Sequence, residues 1–238
     1  MPDEPIDGPT LLYGVCGAPS RARPALQRVL RNRKGIEAPL AVHACEELSV
    51  LASGIDDPTR LRRPDTSTLL EYQQVVEASY RDCTMVPLRF GTWTESVAAA
   101  RTLVSDRAAA LRAQLERFDG RVEIGVRVRL RAPVDSGTSS EAAATGRAYL
   151  EARRRERREA STTLRALQRR YREAVGTACV AATCDGGDNG SRTVSLSFLV
   201  PRDEAPHAAE RLASVDVASV DEQTVVGPWA PFSFAALP

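Results

Sequence analysis

The order of hydrophobic periodicities predicts an α+β chain in two small domains, residues 1–118 and 119–238. Three observations carry this. Short apolar runs near the start read as buried strands, and a three-and-four spacing from Val97 to Phe118 reads as an amphipathic helix. From residue 121 the patterns then run strand, helix, strand, strand, helix, strand. A length of 238 residues suits one large or two small domains, and 43% hydrophobic with 26% charged residues excludes disordered, collagenous and fibrous classes.

Residues 11–15 are an apolar run closed by Gly17 and Pro19, a buried strand entering a loop. The basic stretch 20–34 has no clear periodicity. Residues 39–44 and 48–52 read as two strands around Glu46 and Glu47, with helix the alternative because alanine is frequent. Turn chemistry over 56–65 leads to a helix expected to open on a Thr68-x-x-Glu71 capping box and to carry Leu69, Tyr72, Val76, Ser79 and Cys83 on one face.

Residues 84–90 predict a brief strand, with Pro87 marking an edge or an end. Gly91 then permits a sharp reversal, and Thr92-x-x-Glu95 predicts a second capping box with Thr92 as the N-cap of one helix through Phe118. Asp119 and Gly120 stop it. Val122, Ile124, Val126, Val128 and Leu130 alternate with Glu123, Gly125, Arg127, Arg129 and Arg131, a half-buried strand with a charged outer face.

Residues 132–140 have the composition of a flexible connection. A long helix is expected from Glu141 towards Gly176, with Leu164, Leu167, Tyr171, Val175 and Ala178 as its apolar stripe. Residues 179–184 and 193–200 are strands around a glycine-rich hairpin loop, 185–190. Asp203 is expected to cap a short helix to about Ala213, and residues 215–226 return as strand. This order from residue 121 is that of a ferredoxin-like βαββαβ domain.

A net charge of +1 provides no global field for nucleic acid or an anionic membrane. No run approaches the roughly 18 apolar residues of a spanning helix, and the acidic start differs from a basic, then apolar, signal peptide, so a cytoplasmic protein is expected. Five scattered cysteines without a Cys-x-x-Cys indicate neither a disulfide framework nor a zinc site.

Catalysis requires a tuned acid, base or nucleophile within reach of a partner. His43 and His207 stand in no hydrolase or metalloprotease frame and read as satisfied or solvated imidazoles. Cys45 shares a strand face with His43, which leaves a Cys–His contact open. No catalytic residue, metal or cofactor is indicated.

Residues 147–173 hold ten arginines against four glutamates. Such a basic helix neutralises phosphates, docks an acidic partner or is simply solvated, and without interleaved aromatics nucleic acid is disfavoured. Two further segments stand out: Pro87, Leu88, Arg89, Phe90, Gly91 and Thr92, and a proline-stiffened tail with Gly227, Pro228, Trp229, Phe232 and Phe234. Each either closes a core or anchors a partner.

Tyr13-Gly14, residues 87–92, 123–126, 146–150 and 199–202, and the tail 227–234 occur in register along nearly the whole chain, and together resemble the gas vesicle protein F/L family. Ala230 and Phe232 replace Pro and Tyr of that family's tail, and residues 20–67 match it poorly. The resemblance implies a non-enzymatic accessory protein of gas vesicle formation, a minor vesicle component that binds the hydrophobic shell protein and other accessory proteins. On that reading Trp229, Phe232 and Phe234 are expected as apolar anchors and Arg89, Arg127 and Arg129 as their charged surround. Pro87, Phe90, Gly91, Thr92, Gly227 and Pro228 are expected to shape the backbone.

Overall fold

The computed structural model describes residues 8–18, 40–131, 146–186 and 192–235. The stretch 20–34, the connection 132–140, the expected helix start at Glu141 and most of the loop 185–190 lie outside the described residues, as do most side chains of 146–160. The chain divides into two compact units, one of residues up to Arg121 together with those from Trp229 onward, the other Val122–Pro228. The tail, expected in the second domain, therefore groups with the first. Its ties reach back across 153 residues to Glu77, a separation at which no local pattern operates.

In the first unit, strands β1 (Thr10–Cys16), β2 (Leu40–Cys45), β3 (Leu48–Gly54) and β4 (Met85–Pro87) form a sheet in the order β2-β3-β1-β4, and the two-residue β5 (Trp93–Thr94) also pairs with β1. All these pairings are antiparallel. Every residue of the central β1 is buried, as its continuous apolar run requires. Its register shifts between Leu12 and Gly14, so Tyr13 is the extra residue of a β-bulge that re-aims its ring. Helices α1 (Thr66–Asp82), α2 (Val97–Asp106) and α3 (Ala108–Phe118) contribute Val75, Val76, Val104, Leu111 and Phe118 to the core.

Three details of this unit correct the sequence reading. The α1 N-cap is Asp65, whose carboxylate accepts the Thr68 N–H at 2.8 Å. A carboxylate at a helix N-terminus is favoured by the helix dipole, and it captures the donor that a box at Thr68 would have displaced. Thr92 is no N-cap: Trp93 and Thr94 are still extended, paired with Leu11 and Thr10, so the helix starts only after Ser96, whose hydroxyl accepts the Ala99 N–H at 3.2 Å. The single helix expected through Phe118 is broken at Arg107, which leaves helical geometry with φ −115° and ψ 12°.

The second unit holds β6 (Arg121–Leu130), α4 (Gly146–Val175), β7 (Ala181–Gly186), β8 (Thr193–Pro201), α5 (Ala205–Ala213) and β9 (Val220–Trp229). Its strand order is β7-β8-β6-β9. The residues 122–130 and 193–201 are thus neighbours in one sheet. Arg127 and Arg129 face solvent, but Glu123 and Gly125 are buried, so the charged face covers only the end of β6. At Gly125 an added Cβ would stand 2.8 Å from Val226 Cγ2, which shows how closely β9 covers that position.

Leu167, Tyr171 and Val175 form the buried stripe of α4, with Leu164 and Ala178 at its margins. The Tyr171 hydroxyl donates to Gln223 Oε1, and Gln223 Nε2 donates to the carbonyls of Ala213 (2.9 Å) and Val215 (3.0 Å) at the end of α5. Asp203 does not cap α5. Glu204 occupies that position in helical geometry without a side-chain cap, and a backbone turn, Glu204 N–H to Pro201 O at 3.1 Å, leads into the helix. The last strand begins at Val220, later than the Val215 expected, because Val215 is held at the α5 terminus.

Candidate functional site

The 87–92 turn and the tail from Trp229 onward lie on the first unit and each is tied to a side chain of α1, Tyr72 and Glu77 respectively. The 87–92 turn is built around Tyr72. Its hydroxyl lies 2.8 Å from the Leu88 carbonyl and 3.0 Å from that of Leu12, both acceptors, and burial pushes the phenol up so that it stays a donor. Tyr13 stacks on Tyr72 at 4.8 Å and Phe90 meets the same ring edge-on at 5.2 Å. The Leu88 N–H donates to the Tyr13 carbonyl at 2.9 Å, extending the ladder past the buried Pro87. Gly91 has φ +84°, a backbone that a side chain would strain. Thr92 closes the turn by donating its hydroxyl to the Arg89 carbonyl at 2.8 Å. Arg89 itself is exposed.

The last residues of β9 include Gly227, at φ +112°, and the cis Gly227–Pro228 peptide, and the chain continues past Trp229. Ala230 and Pro231 are buried, and the Ala230 N–H donates to both Glu77 carboxylate oxygens, at 2.9 and 3.1 Å. A single turn of 3-10 helix, Phe232–Phe234, follows. The Arg117 guanidinium lies 5.8 Å from the Phe234 ring centroid, within cation–π range. The three aromatic rings are not sunk into the core: Trp229 is 36% exposed and Phe232 and Phe234 are half-buried.

The expected charged surround divides between the units. Arg89 belongs to the unit that holds the tail aromatics, whereas Arg127 and Arg129 stand on β6 of the other. Arg129 is engaged by two carboxylates of β9, Asp221 at 3.1 Å and Glu222 at 2.9 Å. Glu77, Arg117 and the hydroxyl of Tyr72 were not legible as site residues. Each reads locally as an ordinary surface charge or a helix-face aromatic, and only the long-range return of the chain gives it its role.

The His43–Cys45 pair left open by the sequence does not form a nucleophile with its base. The Cys45 thiol donates to the backbone carbonyl of His43 at 3.6 Å, and burial pushes that thiol up, away from the thiolate a nucleophile needs. Among the described residues no group of three or more His, Cys, Asp or Glu could hold a metal ion. No described helix is long and apolar enough to cross a membrane.

The sequence matches a family model described as gas vesicle synthesis protein GvpL/GvpF over residues 9–236. Gas vesicle protein L of Streptomyces sp. (strain CB03234) is 28% identical over 209 residues, covering 79% of this chain and 78% of that protein. The crystal structure of the gas vesicle protein GvpF from Anabaena sp. PCC7120 superposes with a TM-score of 0.71 at 15% identity, covering 97% of each chain. That of GvpF from Microcystis aeruginosa gives 0.68 at 14% identity, covering 97% of this chain and 100% of the other. At such identities these structures speak for the fold alone.

Proposed function

This chain belongs to the GvpL/GvpF family of gas vesicle synthesis proteins, and we propose that it acts there as a non-enzymatic accessory protein binding the hydrophobic shell protein and other accessory proteins. Its place on this reading is the cytoplasm and the vesicle, as a minor component. The observation that carries the proposal is the tail: three aromatic rings kept at the surface of a segment whose backbone is pinned by Glu77. A shell subunit awaiting assembly exposes apolar surface, and its partner needs rigid apolar anchors ringed by charge to exclude water and to limit self-association. Trp229, Phe232 and Phe234 are the anchors of this reading. Arg89 supplies charge on the same unit; Arg127 and Arg129, expected with it, stand on the second unit.

We also read the second unit as ferredoxin-like. Its element order, together with a strand order that places the first and third strands side by side in the middle, supports this. The function is tested by capture of purified shell protein on the immobilised chain, wild type against Trp229→Ala, with a thermal melt of each. Loss of capture by a folded Trp229→Ala variant is expected. Unchanged capture removes Trp229 from the surface, and no capture by the wild type overturns shell binding itself.

A further inference from the structure

The second unit carries an arginine-lined groove that the tail reading leaves unused. Arg165, Arg169 and Arg172 of α4 line one side of a cavity of about 450 Å³, over a floor that includes Leu196 and Phe198 of β8. Their spacing of four and then three residues puts the three guanidinium stems on one stripe of the helix. All three are exposed. Among the described residues, the ion pair of this trio is Arg169 with Glu173, at 3.9 Å between largely exposed side chains, a geometry that contributes little. Among the described residues no carboxylate lines the cavity.

The opposite wall is β7. Ala182, Thr183 and Cys184 all border the cavity, and because successive strand residues point to opposite faces, backbone of the strand forms part of this wall. Among the described residues β7 is the terminal strand of its sheet, and all six of its residues are exposed or half-buried. A terminal strand is where an added strand pairs.

We propose that this groove receives an extended acidic segment of a partner protein, added as a strand beside β7 with its carboxylates on Arg165, Arg169 and Arg172. Dimensions and charge agree. Arg165 and Arg169 are offset by about 6 Å along the helix, close to the roughly 6.7 Å between alternate residues of a strand, so carboxylates at every second position meet successive guanidinium groups. Arginine binds carboxylate through paired N–H donors. Among the described residues the one aromatic there, Phe198, is buried and cannot stack on a nucleobase.

The probe is a fluorescein-labelled hexapeptide of alternating Val and Glu, as long as β7, titrated with the full chain and followed by anisotropy. Three comparison probes accompany it: the Val–Gln analogue, the same Val–Glu peptide with alternate backbone nitrogens methylated, and an oligothymidylate. Binding of the Val–Glu peptide is expected, weakened about tenfold or more in the Arg165→Gln/Arg169→Gln/Arg172→Gln variant and by a similar factor on N-methylation. Circular dichroism verifies that the variant keeps its helix. The proposal is overturned if the acidic peptide fails to bind, if the glutamine analogue binds as well, or if a folded triple variant or the N-methylated peptide shows no loss. Tighter binding of the oligothymidylate overturns it in favour of a nucleic-acid surface.

Discussion

Gly14→Ala should unfold the first unit about 3 kcal/mol more easily than wild type. A Cβ built on Gly14 would lie 1.9 Å from Met85 Cε and 2.9 Å from the Val86 carbonyl oxygen. The two contacts differ in kind. Met85 is fully buried, so moving its thioether disturbs a packed core, for which overpacking costs about 1–3 kcal/mol. The Val86 carbonyl belongs to the ladder in which Gly14 faces Pro87 and Val15 faces Val86, and it retreats only if β4 does. With both acting, the upper end of that range is expected, a fall in Tm of about 10 °C for a unit of this size. Urea unfolding followed by tryptophan fluorescence reads the right unit, because both tryptophans, Trp93 and Trp229, belong to it. A cycle with Met85→Ala separates the contacts: a coupling of about 1–2 kcal/mol is expected from the thioether, with a residue of the loss left to the carbonyl. A Gly14→Ala variant within about 0.5 kcal/mol of wild type would refute the argument, and full rescue by Met85→Ala would refute the role given to the backbone.

Tyr72→Phe keeps the stack on Tyr13 but removes the donor shared by the Leu88 and Leu12 carbonyls, so a loss of about 1–3 kcal/mol is expected in the same urea assay; a neutral result would mean those carbonyls have other donors. Ser96→Ala should cost about 1 kcal/mol through its lost cap, and more than Thr92→Ala, whose hydroxyl makes only an exposed bond to Arg89 O; the reverse order of melting temperatures would restore Thr92 as the cap. The hydrogen bond from the Cys16 thiol holds Cys83 below its usual range and, with burial, Cys16 well above it, while burial raises Cys45 and Cys179. A lowered pKa means thiolate at lower pH, so iodoacetamide should label Cys83 first as pH rises and Cys16 only on unfolding; peptide mapping that finds Cys16 modified alongside Cys83 in the folded protein would contradict this.

What the sequence made legible was local. The apolar run of β1 and the strand β3 are buried on both faces, the apolar positions Val194, Leu196, Phe198 and Val200 of β8 are buried, and the three-and-four stripe of α4 survives, because burial is imposed on each element by its own side chains. Helix starts were less legible, and for a definable reason. The Thr-x-x-Glu spacing occurs at 68–71 and at 92–95, yet a stronger acceptor at Asp65 captures the first helix and the pairing of Trp93 and Thr94 with β1 delays the second. A cap signal holds only where nothing non-local claims the same backbone. Glu123 fails in the same way: the alternation of β6 gives it to solvent, while the fold buries it.

The candidate site was legible in its residues and illegible in its supports. Glycine, proline and aromatic clusters announce the 87–92 turn and the tail, whereas Glu77 and Arg117 acquire meaning only when the chain returns to the first unit. That return bears on function through the order in which the tail's atoms are buried. A tail serving only to close a core would sink its rings and leave small residues outside. Here the buried positions are Ala230 and Pro231, the backbone N–H is taken by a carboxylate, and the rings of Trp229, Phe232 and Phe234 stay at the rim. Burial that falls on an alanine and a proline fixes the path of the segment while sparing its large apolar surfaces, and an ordered segment meets a partner with less conformational entropy left to lose. This distribution of burial, more than the aromatic composition of the tail, is what favours a docking role over a purely structural one.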